Sequence, residues 1–124
     1  MADTMKGLKR THYCGEVTQP GGEAVVGGFV DRVRYKGGVI FIVLRDRTGV
    51  VQLLFNDETD RALFDKAASC RSEYVLMAKG EVRERESKNP NLKTGNVEIF
   101  VTDLRILAKA QTPPFEIVSD TIVN

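Results

Sequence analysis

The side chains most used in covalent catalysis are scarce in this chain. It has one histidine, His12, and two cysteines, Cys14 and Cys70, far apart and in no C-x-x-C pattern. A Ser/His/Asp set cannot be argued from one histidine, and the soft ligands are too few for a zinc centre. Both cysteines therefore read as buried, reduced thiols, and His12 as a structural contact. The glycine pairs Gly21-Gly22, Gly27-Gly28 and Gly37-Gly38 form neither a phosphate loop nor a dinucleotide fingerprint. What remains is the chemistry of binding. Phe41 offers a stacking face, and Gln52 an amide with both donor and acceptor. Glu98 offers an acceptor pair, Arg34, Arg83 and Arg85 offer cations for phosphate or a base edge, and Asn89 sits in a polar loop.

Those residues need a scaffold, and composition allows one. The chain has 124 residues, 42% of them hydrophobic and 28% charged, enough for one core without staples. The net charge of +1 supplies no global positive field, so any nucleic-acid contact must be local. No apolar run approaches the roughly 20 residues of a membrane helix, and the start lacks a signal-peptide core, so the expected location is the cytoplasm.

Periodicity sets the elements. Residues 24–33, 39–45 and 50–55 read as three strands, with Gly27-Gly28 marking a bulge or bend in the first. Residues 60–71 carry Leu63, Phe64, Ala67, Ala68 and Cys70 at helical spacing, with Asn56, Asp57 or Thr59 as N-cap. Residues 74–85 and 96–102 read as two more strands. In the 39–55 hairpin, parity turns Ile40, Ile42, Leu44, Val51, Leu53 and Phe55 inward. Phe41, Val43, Val50 and Gln52 then face outward, with Phe41 expected opposite Gln52. Glu98, Phe100 and Thr102 face outward on the last strand, and Arg83 and Arg85 share a face on the fourth. The order β-β-β-α-β-β is that of an OB-fold, an all-β five-stranded Greek-key barrel with one helix. The barrel is expected over residues 1–110. Residues 111–124, with Pro113-Pro114, read as the start of a linker to a further domain.

Six stretches resemble the N-terminal anticodon-binding domain of bacterial-type aspartyl-tRNA synthetases, class II ligases. They are Arg10-Thr11-His12-Tyr13-Cys14-Gly15-Glu16, the run from Gly37-Gly38 through Arg45-Asp46-Arg47, Gly49-Val50-Val51-Gln52, Arg71-Ser72-Glu73-Tyr74-Val75, Gly80-Glu81-Val82-Arg83-Glu84-Arg85, and Thr94-Gly95-Asn96-Val97-Glu98. The similarity runs from about Arg10 to Phe115. Lysyl- and asparaginyl-tRNA synthetases are similar in this domain, and the opening Arg-Thr-His-Tyr-Cys-Gly favours aspartate.

The resemblance implies that Phe41 stacks on the central anticodon base, that Gln52 hydrogen-bonds the same uridine, and that Glu98 accepts from the guanine at the first position. Arg34, Arg83, Arg85 and Asn89 would surround the third base and the loop backbone. Each has a plainer reading: Phe41 under a loop or partner domain, Gln52 solvated, Glu98 paired with a cation, Arg83 and Arg85 on a solvated strand end. Tyr35-Lys36-Gly37 departs from the commoner family sequence, which leaves open whether tRNA(Asn) is also charged. Arg45-Asp46-Arg47 superficially resembles the Arg-x-Glu signature of class II active sites but falls on a hairpin turn. The resemblance further implies a tRNA(Asp) anticodon loop as partner. No cofactor is expected in this fragment, and it should be inactive alone. ATP and Mg would belong to the parent's catalytic domain, through which the parent would form a homodimer, the fragment being a monomer. Two alternatives stay open: a free-standing OB protein that binds single-stranded nucleic acid without reading it, and a protein-interaction OB domain.

Overall fold

The computed structural model describes residues 7–86, 88–92 and 94–109, so the expected linker lies outside the described residues. Five strands and one helix follow the expected order: β1 (Glu23–Lys36), β2 (Val39–Asp46), β3 (Gly49–Phe55), α1 (Arg61–Ala68), β4 (Val75–Glu84) and β5 (Val97–Ala108). The strands close into a barrel in the order β1-β2-β3-β5-β4. Its interior is filled by the side chains that parity turned inward, among them Ile40, Ile42, Leu44, Val51, Leu53 and Phe55. Leu63 and Phe64 of α1 pack against that core and Ala67 is buried in it.

The β2–β3 hairpin corrects one expectation. Asp46 pairs with Gly49 across the two-residue turn Arg47-Thr48, so Phe41 lies opposite Leu54, and Gln52 opposite Val43. The expected Phe41–Gln52 pairing was two residues out, a slip that leaves every side chain on its face because strand parity has period two. Asp46 is structural. Its carboxylate accepts from the Thr48 amide at 2.8 Å and from the Cys14 amide at 2.8 Å, pinning a short 3-10 helix (Cys14–Glu16) to the hairpin end.

Three further boundaries differ. The helix cap is Asp60, whose carboxylate accepts from the Ala62 and Leu63 amides, rather than Asn56, Asp57 or Thr59. Asn56 and Thr59 instead close the preceding turn on each other. In β1 the register shifts between Val30 and Arg32, not at the glycine pair. Gly28 serves close packing, since a Cβ there would collide with the Arg45 carbonyl. β5 runs past Thr102 to Ala108 because a second register shift occurs there: Gly80 pairs with Val101 and Lys79 with Asp103. The unpaired Thr102 flips the parity, so Leu104 and Ile106 take over the inward face.

Both thiols are buried, as expected, and burial pushes the Cys70 thiol up to about 11 and that of Cys14 higher still. Met77, outside the main core cluster of the barrel, is covered by Leu8 and Val25 in a small cluster beneath the N-terminal segment. That segment is tied down by the Thr11 and His12 amides, which both donate to the Val25 carbonyl.

Candidate nucleic-acid interface

The outer face of the barrel carries two parallel rows of side chains across β1, β2, β3 and β5. The first is set by the pairings Arg34–Phe41, Phe41–Leu54 and Leu54–Phe100. It is apolar in Phe41, Leu54 and Phe100, with the Arg34 guanidinium 5.7 Å from the Phe41 ring centre and the Arg83 guanidinium 4.0 Å from that of Phe100. The second row is polar: Arg32 opposite Val43, Val43 opposite Gln52, then Glu98, which pairs with Arg83 on β4. Gln52 Nε2 donates to Glu98 Oε1 at 2.8 Å and joins the rows' two central strands.

Gln52 is only 7% exposed although it faces outward, which removes the solvated reading of that residue. The β4–β5 loop overhangs it. Thr94 Oγ1 donates to the Val50 carbonyl at 2.6 Å, and Asn89 and Gly95 close the loop through an amide-to-carbonyl bond of 2.9 Å. Only glycine fits at position 95, since a Cβ there would strike the Asn89 carbonyl. Between loop and sheet lies a cleft of about 380 Å³, with Arg34, Gln52, Arg85 and Asn89 in its lining beside Asp31 and Leu92.

Glu98 is half-buried, and burial raises its carboxyl above the ordinary carboxylate range. The hydrogen bond from Gln52 and the charges of Arg85 and Arg83 oppose that rise, while Glu86 adds to it. A carboxylate here, which when ionised only accepts, suits a planar ligand edge rich in N–H donors and repels a bare phosphate.

Of the seven expected residues, Arg34, Gln52, Arg85 and Asn89 line the cleft, with Glu98 bonded to Gln52 and half-buried Phe41 on the adjoining row. Arg83 parts from Arg85. It lies over Phe100 and is held by Glu81 at 2.7 Å, with Glu58 at 3.9 Å, while Arg85 lies beyond the end of β4 and reaches the cleft. Their contacts differ, yet both charges act on Glu98. Asn89 spends its side-chain oxygen on the Asn91 amide, so part of its role is to shape the loop. Sequence reasoning missed Thr94, buried at 4% by its bond to Val50, and gave no role to Phe100, whose outward parity was the available signal. Among the described residues no three His, Cys, Asp or Glu side chains gather to hold a metal ion, and no helix is long and apolar enough to cross a membrane.

Comparison with known proteins fits this geometry. The model of the tRNA anticodon family, described as an OB-fold nucleic acid binding domain, matches residues 24–107. An aspartate–tRNA(Asp/Asn) ligase of Caldanaerobacter subterraneus subsp. tengcongensis is 49% identical over 121 residues, covering 94% of this chain and 20% of the ligase. An aspartate–tRNA ligase of Limosilactobacillus fermentum is 50% identical over 115 residues, covering 91% of this chain and 20% of the ligase. The chain thus spans about a fifth of the length of these relatives. Among solved structures, an OBody bound to hen egg-white lysozyme superposes with a TM-score of 0.73 at 34% identity, covering 82% of this chain and 96% of that one. Barrel, cleft and sequence agree: the chain belongs to the tRNA anticodon family of OB-fold nucleic-acid-binding domains, in the form found in aspartate–tRNA ligases.

Proposed function

We propose that this chain reads the anticodon loop of tRNA(Asp) on behalf of a full-length ligase that attaches L-aspartate to that tRNA. The observation that carries the reading is the Gln52–Glu98 pair at 2.8 Å, sunk beside an outward Phe41 and flanked by Arg34 and Arg85. A base stacked flat on a ring meets its edge partners off to one side. Gln52 is diagonal to Phe41 rather than opposite it, a relation that spans roughly 7–8 Å and suits one base shared between stack and edge. Glu98 then accepts from the two adjacent N–H donors of a guanine at the first anticodon position. Arg34, Arg83, Arg85 and Asn89 surround the third base and the loop backbone.

ATP and Mg chemistry would belong to another domain of the ligase. The ligase works in the cytoplasm as a homodimer through that domain, and this chain alone is an inactive monomer. The test is fluorescence-monitored binding of a matched anticodon stem-loop. Phe41→Ala, or replacement of the central uridine, is expected to weaken binding by about 1–3 kcal/mol. Equal binding of an all-purine loop would favour a barrel that coats single strands without reading them. Equal affinity of Phe41→Ala and the wild type would favour a protein-interaction role, of which the lysozyme-bound OBody is a related example.

A further inference from the structure

The amide of a glutamine has two ends of nearly equal size and opposite hydrogen-bonding sense, and alone it turns either one to a ligand at little cost. Gln52 is not alone. Its nitrogen meets Glu98 Oε1 at 2.8 Å, and an ionised carboxylate only accepts. Turning the amide over would set its oxygen against the carboxylate oxygen, two acceptors at hydrogen-bond distance in a half-buried site, and no proton between them. With Gln52 only 7% exposed, water does not relieve that contact.

We propose that Glu98 is a positioning residue that locks the Gln52 amide with its oxygen as the end offered to a base, and that this lock is what separates uracil from cytosine in the cleft. The two pyrimidines have the same size and stack alike on an aromatic ring. They differ in the order of groups along the Watson–Crick edge: uracil presents a ring N–H beside a carbonyl, cytosine a bare ring nitrogen beside an amino group. A locked amide, oxygen first and the second N–H beside it, matches uracil. The flipped amide would match cytosine. A glutamine free to flip serves both, so discrimination comes from its neighbour on β5 and not from the glutamine itself. This assigns Glu98 a second task beside its own base contact, and it rests on the anticodon-loop reading above.

The experiment measures the ratio of affinities for two stem-loops that differ only in a central U or C, because a ratio is blind to any uniform loss from the first-base contact. A well-placed bidentate pair discriminates on the order of 5- to 100-fold. In Glu98→Gln, whose side chain both donates and accepts, the wild-type U-over-C ratio is expected to shrink by about tenfold. In Gln52→Met the ratio is low from the start, and adding Glu98→Gln is expected to change it no further, the non-additivity that marks two residues acting as one. Glu98→Asp, which draws the carboxylate back by one methylene, is expected to lower the ratio as well and serves if Glu98→Gln does not fold. A ratio unchanged in a folded Glu98 variant overturns the proposal while leaving the site reading intact. A wild type that binds neither stem-loop overturns the site reading, and the proposal with it.

Discussion

Glu98 holds a proton more readily in the barrel than in an unfolded chain, because burial disfavours its charged form more than Gln52, Arg85 and Arg83 favour it. The native state therefore binds more protons than the unfolded state between the ordinary carboxylate pKa and the raised one. The stabilising contribution of this group is fully present below the unfolded value and is lost as pH rises through the folded value. At neutral pH the ionised Glu98 accordingly costs stability. Glu98→Gln is expected to melt a few degrees above the wild type at pH 7, with the gap closing as pH falls into the carboxylate range. Thermal unfolding of both proteins across pH checks this, and the remaining acids cancel in the difference. A gap that widens toward acid would show that Glu98 stabilises the fold. Residue type and parity made the outward placement of Phe41, Gln52 and Glu98 legible from sequence. Contact distances were not: the stacking of Arg83 on Phe100 depends on two strands meeting across a register that single-strand patterns do not encode.

Element boundaries were hardest to read where a strand breaks its own alternation. Thr102 ends the in-out pattern of residues 97–101, and an end of pattern looks like an end of strand. In the barrel it is one unpaired residue, after which pairing resumes with Asp103 opposite Lys79. The helix was found but placed one residue early at its start and three late at its end, because Asp60 is the cap and Ser69 already closes the last turn. The bulged crossing of β4 and β5 also explains Gly80. A Cβ there would collide with the Phe100 carbonyl, so the two strands approach more closely than an alanine allows. Gly80→Ala is expected to destabilise the domain by about 1–3 kcal/mol, the range of overpacked cores, measured by denaturant unfolding. It should also weaken stem-loop binding by displacing Phe100 and its neighbour Glu98. Unchanged stability would mean that β5 yields at this point without cost.

At the scale of the whole molecule, fold class and element order followed from counting elements, since three strands, one helix and two strands are the OB sequence of elements. Near-neutral net charge means that, under the proposed function, attraction to RNA falls to a local set of arginines in and beside one cleft. The barrel closes unevenly. β4 and β5 run antiparallel over ten paired positions, whereas β3 and β5 meet in parallel at only two, Leu53–Ile99 and Leu54–Phe100. This is the hoop's shortest weld, and Gln52 and Glu98 stand on its opposite lips. A ligand held by both would act as a clasp. Amide hydrogen exchange of residues 53–54 and 99–100 is then expected to slow when the matched stem-loop binds, with little change between β1 and β4. Exchange left untouched at the weld would show that it does not open in the free domain. If it does open, the same short join that lets the barrel close also lets it breathe, and recognition of the tRNA becomes the act that shuts it.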